Sequence, residues 1–333
     1  MPTYKNLLLW MVLAVLLMLE IGLGTAGITV AQVFEALTHP QSAPIAHSTI
    51  IWDSRIPRTM AAALAGASLA WSGMLMQTMF RNPLAGPSML GISSGASLGV
   101  ALLVLSGGTF IMSSELGYMS IAVAAIIGAF AALALVLLVA ERISDQPTLL
   151  IFGIMLSFFT SALVDALQSQ ATNESLRSYV NWGLGSFADC DHRENALMAA
   201  GLIMSLLLTR AILPRLNLLL LGEQYAGTMG IDITQTRRLM MVITGILAGI
   251  TTAFCGPVSF IGLAVPHVSR RLIASADHRR NLLPTLLLGS ILALFCDLIS
   301  RLSALPLNTI ASALGAPFVI LLMLRWSRFK SMI

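Results

Sequence analysis

The side chains able to do chemistry in this chain are few, and most stand among apolar neighbours. Asp165 and Asp297 lie within or beside long hydrophobic runs, where a carboxylate is costly and marks a functional site by default. Asp165 is close to the end of its run, which favours hydration or a helix-end role. Asp297 precedes Arg301 by four residues, the spacing of a local ion pair on one helix face. His267 is alone, because His278 falls in a polar segment beyond ligand spacing. A hydrogen-bonded structural histidine is expected there, not a metal or haem ligand. Cys190, Cys255 and Cys296 are too few and too scattered for a disulfide framework or a metal cluster. Cys255 and Cys296 read as small apolar helix residues. No G-x-x-x-x-G-K-[ST], H-E-x-x-H or G-x-S-x-G pattern occurs. A phosphate-cradling loop, a zinc-protease helix and a nucleophile elbow are therefore absent from the sequence.

The elements that hold these residues are set by composition. Of 333 residues, 57% are apolar and 10% charged, with a mean hydropathy of +0.86. Soluble domains carry about 25% charged residues. So few charges cannot coat a soluble domain, and so apolar a chain is not disordered. The expectation is an all-α, polytopic membrane protein forming one transmembrane domain over residues 1–333.

A spanning helix needs about 20 mostly apolar residues. Charge-free runs of that order cover 59–80, 82–114, 116–140, 239–269 and 302–324, with shorter or interrupted runs at 6–34, 146–170, 195–213 and 281–300. The runs 82–114 and 239–269 exceed one bilayer. Asn82-Pro83, Gly86-Pro87, Gly256-Pro257, Gly262 and Pro266 mark where they should break, which neighbouring protein tolerates at membrane depth. About ten helices follow: 7–26, 59–80, 90–108, 117–140, 148–169, 194–213, 236–255, 258–273, 283–300 and 307–325. The first follows Lys5 but lacks a convincing cleavage site, so it reads as a retained helix.

Direction can be counted. With the N-terminus inside, the inner segments hold Lys5, Arg81, Arg142, Arg210, Arg215, Arg237, Arg238, Arg270, Arg271, Arg279, Arg280, Arg325, Arg328 and Lys330, which is 14 of the 19 basic residues. Outside fall Arg55, Arg58, Arg177, Arg193 and Arg301. The positive-inside asymmetry puts both termini in the cytoplasm. It also accounts for the net charge of +4 without nucleic acid. Arg55 and Arg58, three residues apart, share a helix face. With Arg301 they run against the charge trend and suggest either snorkelling to headgroups or an electropositive rim for carboxylates of an external partner. The inner segment 214–238, too polar to span, reads as a short helix–turn–helix whose apolar Leu218 to Leu221 and Tyr225 would meet a partner.

Several blocks together carry a family resemblance. They are Arg55-Ile56-Pro57-Arg58, Arg81-Asn82-Pro83-Leu84-Ala85, Trp182-Gly183-Leu184-Gly185-Ser186-Phe187, Leu221-Gly222-Glu223 with Ala226 and Gly230, and Asp297 with Arg301. The run from Gly256 and Pro257 through Gly262 and Pro266 to His267, and Gly315-Ala316-Pro317, complete the set. Taken in chain order over residues 7–325, they resemble the permease subunits of iron–siderophore, haem and vitamin B12 ABC importers of the FecCD type.

The resemblance implies a type II importer architecture of ten helices per subunit in a bacterial inner membrane. It implies a second permease, identical or paired, two ATPase subunits below and a periplasmic binding protein above. No cofactor is expected on this chain, ATP and Mg being held by the ATPase. Arg55, Arg58 and Arg301 would form the docking rim. Leu221, Gly222, Glu223, Ala226 and Gly230 would couple to the ATPase. Asn82, Pro83 and Leu84, with Asp145 and Gln146, would form the cytoplasmic gate. Met155, Phe158, Phe159 and Ser161 on the fifth helix would line a pathway between two permeases, since a large chelate cannot pass through one packed subunit. The cargo would be a metal chelate, a ferric siderophore first, haem or vitamin B12 otherwise.

The last third departs from the family pattern: Ala304-Leu305-Pro306 and Asn308 replace an acidic residue and a glycine, and the loop after Arg301 is about one turn shorter. A rival class is an ion- or proton-coupled carrier using Asp165 and Asp297, although neither broken helix puts a carboxylate at the midplane. A membrane enzyme has no visible catalytic constellation.

Overall fold

The computed structural model describes residues 3–24, 27–39, 43–106, 115–143 and 145–330. Within them the chain is helical throughout. All ten expected spans have counterparts: α1 (Thr3–Gly22), α4 (Ile56–Met79), α5 (Ile92–Val104), α6 (Glu115–Ala140), α7 (Gln146–Gln168), α9 (His192–Leu219), α11 (Ile233–Cys255), α12 (Ile261–Ile273), α13 (His278–Ser303) and α14 (Leu307–Lys330). Among the described residues, seven helices are long and apolar enough to cross a membrane unaided, and α5 and α14 supply shorter apolar segments. The 13-residue α12 carries Arg270 and Arg271 in its last turn. The expected spans 7–26 and 90–108 end in residues outside the described ones.

Four short helices lie between the spans: α2 (Val30–Thr38), α3 (Ile45–Thr49), α8 (Asn173–Gly183) and α10 (Glu223–Thr228). Three of them, α2, α3 and α8, occupy the polar segments that precede α4 and α9. Thr29 and Gln32 form a reciprocal capping box at the start of α2, which satisfies amides that a helix end leaves open. Val33, Ala36, Ala43 and Ile51 then bury a small satellite core. From α3 the chain runs through a π-helical stretch (Ile50–Arg55) directly into α4. Thr172 caps α8 by accepting from the Ser175 amide. A correction concerns 214–238. Its first part is the continuing end of α9, through Pro214, and only Glu223–Thr228 is a separate helix.

The two long runs break at 82–87 and at Gly256-Pro257 as expected, whereas Gly262 and Pro266 lie inside the continuous helix α12. After α4 the chain turns through 80–86, makes a 3₁₀ turn at Pro87–Leu90, and enters α5 from Gly91 at φ 72°. The second run bends at Gly256 (φ 70°) and Phe260 (φ 65°) before α12 begins. A Cβ on Gly256 would sit 2.5 Å from the Trp182 carbonyl oxygen, so both space and backbone conformation select glycine.

The core is built around α4. Every residue from 65 to 80 is buried, as expected for a helix apolar all round. Helices α9, α11, α12 and α13 pack on it, while α5 packs against α6 and α7. Two crossings are as close as backbones allow. A Cβ on Gly73 would overlap the Gly262 carbonyl of α12, and one on Gly66 would overlap the Gly289 carbonyl of α13. Small residues permit this approach, and in lipid such packing replaces the hydrophobic drive between helices. Gly73→Ala should therefore lower the apparent melting midpoint in detergent by an amount matching about 1–3 kcal/mol of overpacking. Gly22→Ala, where nothing lies within 4 Å, should leave it unchanged. Equal midpoints for the two variants would contradict the packing described.

Candidate functional site

Apart from those along α7 and in the 256–267 run, the expected site residues gather at two ends of the bundle. At one end stand Asn82, Pro83, Leu84, Asp145, Gln146 and the turn 221–230. Helix α9 stops at Leu219, and Gly222 at φ 114° turns the chain into α10. Ala226 is buried, whereas Leu221 is 64% exposed and Tyr225 and Met229 are also exposed. Gly230, at φ 80°, closes the turn before Asp232 caps α11.

Glu223 is the hub of this end. Arg237 of α11 donates from Nη2 to both of its carboxylate oxygens at 2.5 and 2.6 Å, and from Nε at 2.9 Å. Gln146 donates to the same carboxylate at 2.6 Å. Gln146 is the first residue of α7, so the turn expected to couple and the loop expected to gate are joined through one carboxylate. Charge assistance makes such bonds shorter and stronger than neutral ones. Asp145 caps α7 by accepting from the Thr148 amide at 2.9 Å. The Thr148 side chain and amide, with the Arg237 charge, hold its carboxyl below the usual range. A depressed carboxyl stabilises its helix start when ionised, so that contribution falls away as pH drops through the carboxylate range.

The loop 82–84 is held from α12. The Asn82 side chain accepts from the Leu84 amide at 2.9 Å. His267 Nε2 lies 2.7 Å from the Pro83 carbonyl oxygen, which only accepts, so the Nε2–H tautomer is required. His267 is thus the hydrogen-bonded structural histidine that its isolation predicted. Arg270 donates to Gln77 at 2.7 Å, and Gln77 donates to the Leu263 carbonyl at 3.1 Å. Asn217, Asp277, His278 and Thr78 form a second chain linking α9, α13 and α4.

Helix α7 buries a stripe of Leu149, Gly153, Thr160 and Val164, packs Phe152 and Leu156 partly against the core, and presents its remaining face outward. Met155, Phe158, Phe159 and Ser161 all lie on that exposed part, Phe158 at 65%. Asp165 is exposed on the same helix.

The opposite end departs most from expectation. Arg55 is 5% exposed and donates to the carbonyls of Ile21 and Gly22 at 2.7 and 3.2 Å. It satisfies the open carbonyls at the end of α1. Arg58 makes a two-pronged pair with Asp297, at 2.7 and 2.8 Å, and Asp297 is 1% exposed. Arg301 pairs with the buried Glu20 of α1. The expected Asp297–Arg301 pair on one helix is thus replaced by two pairs between helices. The three arginines tie α1, α4 and α13 together and do not stand free as a rim. Arg177 and Arg193 are exposed at this end instead. No local spacing in the sequence pairs Glu20 with Arg301, which lies 281 positions away.

Asn308 is the other residue whose role was missed. Its side chain donates to the carbonyls of Pro257 at 2.5 Å and Gly183 at 3.4 Å, and accepts from the Ser259 amide at 3.0 Å. Its own amide donates to Leu184 at 3.2 Å. It knots the 182–187 block to the Gly256 bend, a task the glycine of the family pattern cannot perform.

The Arg58–Asp297 pair makes a measurable claim. Removing one partner strands a buried charge at a cost of about 3–5 kcal/mol. Asp297→Asn and Arg58→Met should each lower thermal stability sharply, and the double variant should lose less than the sum. Simple additivity in that cycle would argue against a direct pair.

The chain matches the FecCD transport family over residues 12–325. It is 37% identical over 282 residues to the vitamin B12 import system permease protein BtuC of Salmonella arizonae, covering 84% of each chain. The corresponding protein of Citrobacter koseri is 36% identical over the same coverage. A solved structure described as a metal-chelate type ABC transporter in an inward-facing conformation superposes with a TM-score of 0.84 at 29% identity, covering 97% of this chain and 99% of that one. A helical bundle with this order of breaks, matched over nearly its whole length, leaves one assignment: the chain is a polytopic transport permease belonging to the FecCD transport family.

Proposed function

We propose that this permease carries a large metal chelate inward across a bacterial inner membrane, driven by ATP hydrolysed on a separate ATPase. Residues 214–238 hold the coupling segment, and both termini lie in the cytoplasm. One observation carries the reading. The exposed apolar surface of Leu221, Tyr225 and Met229 sits on a turn that Glu223 bonds to the start of α7. An apolar patch rimmed by charge is the usual mark of a partner surface. A partner that moves this turn moves Gln146, and with it the exposed face of α7.

Ser161 and the charged Asp165 are exposed on that face, and lipid tails satisfy neither. A second permease facing it would enclose a pathway lined by Met155, Phe158, Phe159 and Ser161. Apolar and small polar walls bind weakly, which suits a carrier that must release its cargo. ATP and Mg act on the ATPase, and this chain holds no cofactor. A binding protein delivers the cargo to the Arg58 end, where Arg177 and Arg193 are the exposed cations. The cargo belongs to the class of ferric siderophores, haem and cobalamin. Cobalamin is the first to test, because relatives at 36–37% identity carry vitamin B12 in their names.

The ion-coupled alternative loses its strongest residue, because Asp297 is neutralised by Arg58 and is not open to an ion. Leu221→Arg with Tyr225→Ala should abolish co-purification of the ATPase and ATP-driven uptake of labelled cobalamin or ferric chelate, while the folded permease persists in detergent. Glu223 is a poorer test, since reversing its charge also breaks an internal clasp. Normal uptake in the double variant would refute the coupling surface.

A further inference from the structure

Cys190 and Cys255 are 65 positions apart in sequence, yet their sulfurs lie 3.8 Å apart. Both thiols are buried, and Cys190 also faces the Phe254 carbonyl at 3.6 Å. They sit at the Arg58 end of the bundle. Cys190 is two residues before α9, whose start is pinned there by His192 to the Trp52 carbonyl at 2.8 Å and by Asn195 to the Pro57 carbonyl at 2.8 Å. Cys255 is the last residue of α11, immediately before the Gly256 bend. The segment between α8 and α9 folds back onto it, with the Ser186 amide donating to the Cys255 carbonyl at 2.9 Å. A cavity of about 320 Å³ beside them is lined by Trp182, Ser186, Asp189, Glu194 and Cys255 among others.

From this juxtaposition we infer that Cys190 and Cys255 form a disulfide that staples the 184–191 loop to the end of α11. The inference rests on the proposed orientation, which puts this end in the oxidising compartment outside the cytoplasm, where disulfides persist. A disulfide needs its sulfurs about 2.0 Å apart. The 3.8 Å gap exceeds that by about 1.8 Å, between two segments already joined by the Ser186–Cys255 hydrogen bond. The third cysteine, Cys296 in α13, is buried and has no thiol partner within bonding distance among the described residues.

The chemistry is a thiol–disulfide exchange with a disulfide-donating oxidoreductase of the outer compartment. The Cys190 thiolate attacks one sulfur of the donor disulfide and expels the other as a thiolate, forming a mixed disulfide. The Cys255 thiolate then attacks Cys190 Sγ and releases the donor as a dithiol. The two thiols lose two electrons and two protons overall, and the donor takes up both. Exchange occurs before the loop closes over α11, after which burial shields the bond from reductants. The staple fixes the loop that carries the Trp182–Phe187 block against the bend that Asn308 also holds.

The test is acid-quenched alkylation and mass spectrometry of the full chain purified from its native membrane without reductant. A linked peptide joining Cys190 to Cys255, two hydrogens lighter than the separate peptides, is expected in most molecules, with Cys296 alkylated alone. Cys190→Ala should expose Cys255 to full alkylation after denaturation, and Cys255→Ala should do the same for Cys190. Two alkylated thiols in the unreduced wild type, or a metal ion retained between them in native mass spectrometry, would overturn the disulfide. Orientation is read separately with Glu174→Cys in a Cys190→Ala, Cys255→Ala background, using a membrane-impermeant maleimide on intact cells. Labelling together with free native thiols would sink the disulfide alone. Absence of labelling together with free thiols would sink the orientation as well.

Discussion

The structure depends on how closely two backbones can pass α4. At Gly73 and Gly262, and at Gly66 and Gly289, helix surfaces meet with no side chain between them. Lipid supplies no hydrophobic force to push apolar helices together, so stability must come from contact density and polar bonds between helices. Glycine at these crossings maximises both. It brings α12 and α13 near enough for Gln77 to reach a carbonyl on α12 and for Arg58 to reach Asp297 on α13. The burial of α4 along its length is thus the condition for the polar bonds that follow from it.

Those bonds divide the molecule into two ends with different physics. At the Arg58 end, charges are buried and paired across helices: Arg58 with Asp297, Arg301 with Glu20, and Arg55 on the end of α1. A buried pair is costly to break, so these pairs hold α1, α4 and α13 together. At the Glu223 end, the carboxylate is partly exposed and shared between α7 and α11. Partly exposed ionic contacts are weaker and can exchange partners. Leu221, Tyr225 and Met229 are exposed beside this carboxylate.

The break between α11 and α12 joins these ends. Gly256 adopts a conformation closed to other residues, its carbonyl neighbours are tied by Asn308, and the following helix carries His267 to the Pro83 loop. A single short helix therefore connects the knot at one end to the loop 82–84 at the other. Departure from the family pattern at Asn308 is compensated locally, since the amide side chain makes bonds that a glycine there would leave to other groups.

Composition and local rules made the long helices legible in the sequence, though not the short capped helices α2 and α8. Apolar runs established the helices and their order, Gly and Pro established the two breaks, and the absence of motifs excluded nucleotide binding by a phosphate loop. The isolation of His267 foretold a hydrogen-bonded role. The tertiary structure alone decided which charges meet. Glu20 and Arg301 are 281 positions apart, and Arg58 and Asp297 are 239 apart. Sequence spacing favoured the wrong pair, Asp297 with Arg301, because i,i+4 neighbours are the only partners a linear pattern can name. The same limit hid the meeting of Cys190 with Cys255 and the clasp between Gln146 and Glu223. Periodicity reports which face of one helix is apolar. It carries no information on which helix that face will meet, because that depends on backbone approach distances that exist only after the bundle has packed.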